Sequence, residues 1–162
     1  MISPSKSFNL AGLCCGMVII QDKKLRDKFE AAQVGIMAGV NVFGFAAAEA
    51  AYKYGEPWLK KQILYLRGNR DYLYKHLNTI PGIQMLHTEA TYLAWVNVSA
   101  LGLNDPEQYF EKFGVGVCGG DAFGDSNYIR INFGCCRSLL VSAVKRIRRA
   151  AYEATNKVAP FS

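Results

Sequence analysis

The segment Ser3-Pro4-Ser5-Lys6-Ser7-Phe8-Asn9-Leu10-Ala11-Gly12-Leu13 sets one lysine among serines, just ahead of an apolar run. On spacing alone Lys6 is a surface charge near a terminus. The other reading is chemical: a partly desolvated lysine can attack a carbonyl in its neutral form, and adjacent hydroxyls or backbone amides can hold an anion beside it. Ser3 to Asn9 reads as a polar loop. Leu10 to Ile20 reads as a short buried element, and its β-branched end, Gly16-Met17-Val18-Ile19-Ile20, favours a strand.

Outward from that segment, helical and strand patterns follow in a definite order. Asp22 to Ala32 reads as a short helix, with Leu25 and Phe29 four apart. Ala31 to Tyr52 reads as a buried connector helix, and the overlapping stretch from Val42 to Tyr54 is Ala-rich and helical, ending at Gly55. Gln33, Asn41 and Glu49 make that stretch too polar for lipid. Leu10 to Ile20 is too short to span a bilayer and lacks the cleavage site of a signal peptide. Pro57 suits the first turn of a further helix, in which Ile63, Leu66, Leu73 and Leu77 recur at helical spacing among charged residues.

Pro81-Gly82 turns the chain. Ile83 to Met85 and Thr91 to Val98 read as strands, and Asp105-Pro106 opens a helix that Gly114 closes. Val115 to Cys118 and Tyr128 to Asn132 read as strands around a loop, Gly119 to Asn127. Ser138 is the expected N-cap of a last helix reaching about Ala154, with Leu140, Val144, Ile147 and Ala151 as its apolar stripe. After Leu77 the pattern is an α+β unit with helices on one face of a small sheet.

Composition agrees with a folded chain: 51% of the 162 residues are hydrophobic and 20% charged, enough for a sizeable core. The net charge of +6 gathers between Lys60 and Lys75 and between Lys145 and Arg149, where it lines solvated helix faces. No nucleic-acid-binding motif accompanies it, so neither nucleic acid nor membrane is an expected partner. The five cysteines, Cys14, Cys15, Cys118, Cys135 and Cys136, are odd in number and include no CxxC pair. They suggest buried thiols in a reducing, cytoplasmic setting, not a disulfide framework or a zinc site. His76 and His87 are isolated, so no metal site is expected.

The string SPSKSFNLAGL resembles the Schiff-base segment of fold-type I pyridoxal 5'-phosphate (PLP) enzymes. Three further segments resemble the same family in the same order: AAAEAAYKYGEPWLKKQILYLRGNRDYL its inter-domain helices, EATYLAWVNVSALGL its EGTYLLWLD strand, and CGGDAFGDSNYIRINFGCCRS the region around its substrate arginine. The chain is therefore similar to the C-terminal part of a class I/II aminotransferase, nearest the branch holding the cystathionine β-lyases of the MalY/PatB type.

The resemblance implies an incomplete α/β aminotransferase fold of type I. Residues 1–55 would be the end of the large PLP-binding domain with its connector, and residues 56–162 the inter-domain helix and small α+β domain. It implies that Lys6 carries the cofactor and acts as the catalytic base, and that Ser3 helps hold the cofactor phosphate. Arg130 would grip the substrate carboxylate, since a planar guanidinium binds a carboxylate through two parallel hydrogen bonds; the plainer alternative is a strand arginine paired with a local acid. Tyr92 and Asn41, with Phe43 beside it, would approach the substrate. Core packing for Tyr92 and helix entry for Asn41 are the alternatives. Cys14 stands eight residues after Lys6, where many aminotransferases have arginine, a departure from the aspartate aminotransferase pattern.

The implied reactions are transamination or C–S β-elimination of an amino acid, a small-molecule substrate, and the intact family is homodimeric. The family's ring-stacking aromatic, its acid opposite the pyridine nitrogen and most of its phosphate contacts precede the matched region. This polypeptide is therefore expected to be inactive alone and prone to associate. The alternative is a non-catalytic interaction protein derived from such an enzyme.

Overall fold

The computed structural model describes residues 1–35 and 39–157. By its contacts the chain divides into two compact units, one spanning 1–62 and the other beginning at Ile63.

The first unit is helical. Helix α1, Pro4–Ser7, is a single turn opened by Ser3, whose hydroxyl accepts from the Ser5 backbone N–H, so the expected loop is a capped turn with proline at its start. A short 3-10 turn at Ala11–Leu13 follows. The expected strand at Gly16–Ile20 is absent: among the described residues a single bridge, Ile2 to Met17, is all the pairing this stretch makes, and Val18 and Ile19 are exposed. β-branched residues favour a strand only where a neighbouring strand satisfies their backbone, and this stretch has none.

Helix α2, Lys23–Gln33, starts at the Asp22 cap, and α3, Val42–Tyr54, starts at the Asn41 cap. The single connector helix expected from Ala31 to Tyr52 is thus two helices, and its residues 36–38 lie outside the described residues. Nor is it buried: Val42, Phe43, Phe45 and Tyr54 are exposed, while Gly44 and Ala48 face inward. Gly55 ends α3 in a right-handed conformation. Glycine is needed there for space, because a Cβ would lie 2.5 Å from the Ala51 carbonyl oxygen and 2.6 Å from the Phe8 ring.

Helix α4, Glu56–Leu77, is 22 residues long and turns Asn69, Leu73 and Leu77 inward. In the second unit these residues help cover a four-stranded antiparallel sheet built from β1 (Gln84–Met85), β2 (Leu93–Asn97), β3 (Cys118–Gly119) and β4 (Tyr128–Asn132), in the order β1-β2-β4-β3. The expected Val115–Cys118 strand is therefore shorter and shifted toward the loop, since Val115 and Val117 are spent in the core before pairing begins.

Alternation does the rest. Ala94 and Val96 of β2 and Ile129 and Ile131 of β4 face the core, and their neighbours line the opposite face. Helix α5, Pro106–Glu111, is capped by Asp105 and buries Phe110. Helix α6, Arg137–Lys157, buries Leu140, Val144, Ile147 and Ala151, each contributing roughly 1–3 kcal/mol according to size. The helix begins at Arg137, so Ser138 lies inside it and is not its cap. The Tyr65 hydroxyl accepts from the Arg137 backbone N–H at 2.8 Å, which satisfies one of the amides that the first helical turn leaves without a partner. Among the described residues no helix is long and apolar enough to cross a membrane.

Candidate functional site

Candidate residues fall on both units, and each group is built locally. In the first unit, Lys6 is exposed on α1, and the turn beneath it is pinned at several points. Ser3 Oγ donates to the Cys15 carbonyl at 2.8 Å and lies 2.6 Å from Ser5 Oγ. Ile2 and Met17 exchange backbone hydrogen bonds of 2.9 and 2.8 Å. Phe8 closes the other end, edge-on to Tyr52 at 5.7 Å and stacked near Trp58 at 6.3 Å. The lysine therefore stands on a fixed turn among three serine hydroxyls.

The serine chemistry is directional. Ser3 has one hydroxyl proton, and the Cys15 carbonyl takes it. The Ser5 hydroxyl is then the donor to Ser3, and its proton is the one an incoming anion can recruit. Asn41 caps α3 by accepting from the Gly44 N–H at 2.8 Å, and its Nδ2 donates to the Leu13 carbonyl at 3.1 Å. Both ends of its amide are engaged in the helix-entry role. Phe43 is exposed. Cys14 is exposed with a left-handed φ of 50°, and its thiol is directed to the Ala11 carbonyl.

In the second unit, Arg130 sits mid-strand on the face opposite the core. Its cross-strand neighbours are Trp95 on β2 and Cys118 on β3. The guanidinium Cζ lies 4.4 Å from the centroid of the Phe123 ring, and Nη2 is 3.5 Å from Cys118 Sγ. Trp95 stacks on Tyr128 with centroids 5.1 Å apart and planes within 7°, and meets Phe123 edge-on at 5.7 Å. Among the described residues no carboxylate pairs with Arg130. The local acid that would have made Arg130 a plain surface ion pair is not there, and its N–H edge suits a carboxylate from outside.

Tyr92 is partly buried against the core. Its backbone carbonyl accepts from the Phe133 N–H at 2.9 Å, and its ring lies where a Cβ on Gly134 would come within 3.3 Å. The aromatic surround of Arg130 went unassigned at the sequence level. Alternation in Tyr128-Ile129-Arg130 and Leu93-Ala94-Trp95 carried part of that signal, since it places Tyr128, Arg130 and Trp95 on one face. Phe123 carried none, because it arrives from the loop.

Comparison with known proteins places this geometry in a family. The profile of the family described as aminotransferase class I and II matches residues 1–147. Cystathionine beta-lyase PatB of Bacillus subtilis is 37% identical over 155 residues, an alignment covering 91% of this chain and 40% of that protein. The crystal structure of OvoB superposes with a TM-score of 0.89 at 45% identity, covering 92% of this chain and 39% of that one. The PLP-bound C-S lyase of Staphylococcus hominis superposes with a TM-score of 0.83 at 32% identity, covering 93% of this chain and 41% of that one. The chain thus spans about 40% of the length of the relatives it matches, and its mixed α/β architecture is part of the fold of PLP-dependent aminotransferases. With that profile matched over residues 1–147, the chain belongs to the class I and II aminotransferase family.

Proposed function

We propose that this chain carries the cofactor lysine and the carboxylate-binding arginine of a PLP-dependent enzyme acting on amino acids by transamination or C–S β-elimination. The observation that carries the reading is the α1 turn. It holds an exposed primary amine, Lys6, on a backbone pinned at Cys15, Met17 and Phe8, with the hydroxyls of Ser3, Ser5 and Ser7 in the same turn. An aldehyde that also bears a phosphate suits that set of groups.

PLP, when bound, supplies an aldehyde for exchange between amines and a pyridine ring that draws electron density from the substrate Cα. Lys6 Nζ would hold the cofactor through its amine and, in its neutral form, would carry the Cα proton as general base. Ser3 and Ser5 would help hold the phosphate through their hydroxyls. Arg130 orients the substrate through its carboxylate. Tyr92 and Asn41 act through support: one packs beside Gly134, the other ties Leu13 to the start of α3. Residues 1–55 serve the cofactor and residues 56–162 the substrate carboxylate. The working form is a homodimer in the cytoplasm. Because the chain spans about 40% of its relatives' length, we expect no turnover from this polypeptide by itself.

The exposed apolar side chains of α3, Val42, Phe43 and Phe45, favour a second reading, a non-catalytic interaction protein descended from such an enzyme. Incubation with PLP, borohydride reduction and peptide mapping separate the two. A stoichiometric pyridoxyl adduct on Lys6, absent in Lys6→Ala, is the expected result. Adducts scattered over surface lysines and unchanged by the substitution would leave the interaction reading standing.

A further inference from the structure

We propose that Phe123 is a positioning residue for Arg130: its ring lies against the guanidinium and fixes the plane in which the N–H edge meets a carboxylate. The inference rests on the reading of Arg130 given above. A guanidinium makes its hydrogen bonds in its own plane, so a ring on its face costs no donor. That arrangement holds the long side chain still while leaving its edge open. Arg130 Cζ sits 4.4 Å from the Phe123 centroid, within cation–π range, and Cys118 Sγ abuts Nη2.

Phe123 has no comparable role in the core. It is 52% exposed, and its ring contacts are with Arg130 and with the edge of Trp95. Yet the loop that carries it is tightly built. Gly120 N–H donates to the Tyr128 carbonyl at 2.8 Å, and the Gly120 carbonyl accepts from the N–H groups of Phe123 at 2.8 Å and Asp125 at 3.2 Å. Gly124 closes the turn at a φ of +93°, which glycine adopts without strain. A half-exposed aromatic on a rigid loop, laid over an arginine with no carboxylate partner among the described residues, is a device for aiming that arginine.

The test uses the whole chain labelled with 15N, reads the Arg130 Nε–Hε resonance, and titrates sodium acetate against sodium chloride at matched ionic strength. Phe123→Leu is expected to weaken acetate binding at Arg130 about threefold, the size of an exposed cation–π contact, and to move the Hε resonance out of the ring's shielding. Phe123→Tyr, which keeps the π face, should keep both. Should Phe123→Leu disturb the loop's amide resonances, Phe123→Met makes the same comparison with a more adaptable side chain. Acetate binding unchanged in Phe123→Leu or Phe123→Met overturns the proposal, because simple packing would then suffice. If acetate shifts the Arg130 resonance of the parent chain no more than chloride does, the reading of Arg130 itself falls, and the positioning role falls with it.

Discussion

Asn69 and Arg137, far apart in sequence, share a hydrogen bond of 2.9 Å from Arg137 Nε to Asn69 Oδ1. Asn69 is fully buried, and its Nδ2 also donates to the carbonyls of Phe133 and Cys135 at 2.9 and 2.8 Å. One amide therefore ties α4 to the chain between β4 and α6. Asn69→Ala removes one acceptor and two donations inside the protein, leaving carbonyls and a guanidinium unsatisfied. We expect it to cost about 2–4 kcal/mol, read as a lower urea midpoint with an unchanged m-value.

The two faces of α4 give an internal control. Leu73 is fully buried, whereas Leu64 on the same helix is 66% exposed. Leu73→Ala should destabilise by about 3 kcal/mol and Leu64→Ala by less than about 0.5 kcal/mol. Equal urea midpoints for the two variants would contradict the orientation of the helix.

Gly120 is needed for space. A Cβ there would lie 2.0 Å from the Asp125 carbonyl oxygen and 2.6 Å from that of Tyr128, and both are backbone atoms that cannot step aside. Gly120→Ala should therefore cost about 2 kcal/mol or more and release the loop between β3 and β4. Faster amide exchange at Phe123 and Asp125 would report it, with Leu140 and Ile147 in α6 keeping their protection.

Cys135 and Cys136 are adjacent and should react differently. The Ser138 hydroxyl, followed by the Leu139 backbone N–H, holds the Cys136 thiol below the ordinary thiol range. Burial, followed by the charge of its neighbour, pushes Cys135 up. A lowered pKa means more thiolate at a given pH beneath the usual value, so Cys136 should be alkylated faster by iodoacetamide near neutral pH. Its lead should narrow as pH rises and Cys135 ionises. Ser138→Ala removes the largest cause, so the Cys136 rate at neutral pH should fall.

What the sequence disclosed was mostly what short-range chemistry determines. Asp105 followed by Pro106 opens α5 as expected, because a cap and its helix are neighbours. Alternation gave β4 its bounds, and helical spacing gave α6 its stripe. The errors occur where a distant group decides. Gly16–Ile20 has strand composition but no partner strand, and a ladder is a property of two segments. Ser138 has cap chemistry, yet the helix already begins ahead of it at Arg137, whose amide donates to Tyr65, remote in sequence. In the candidate site, the resemblance to the family's motifs singled out Lys6 and Arg130 as the expected cofactor and carboxylate residues. The aromatic cluster around Arg130 was legible only in part, since pleat alternation points to Trp95 and Tyr128 while Phe123 comes from a loop folding back.

Helix α4 also says something about the order in which this chain comes apart. Trp58, Leu64 and Tyr65, toward its start and middle, are exposed, while Asn69, Leu73 and Leu77 near its end have no exposed surface. One continuous hydrogen-bonded rod thus has a loose end and an anchored end. Fraying can enter at Glu56 and run several turns at small cost, and then meets a barrier at Asn69, beyond which losing one more turn means losing the cover of the sheet.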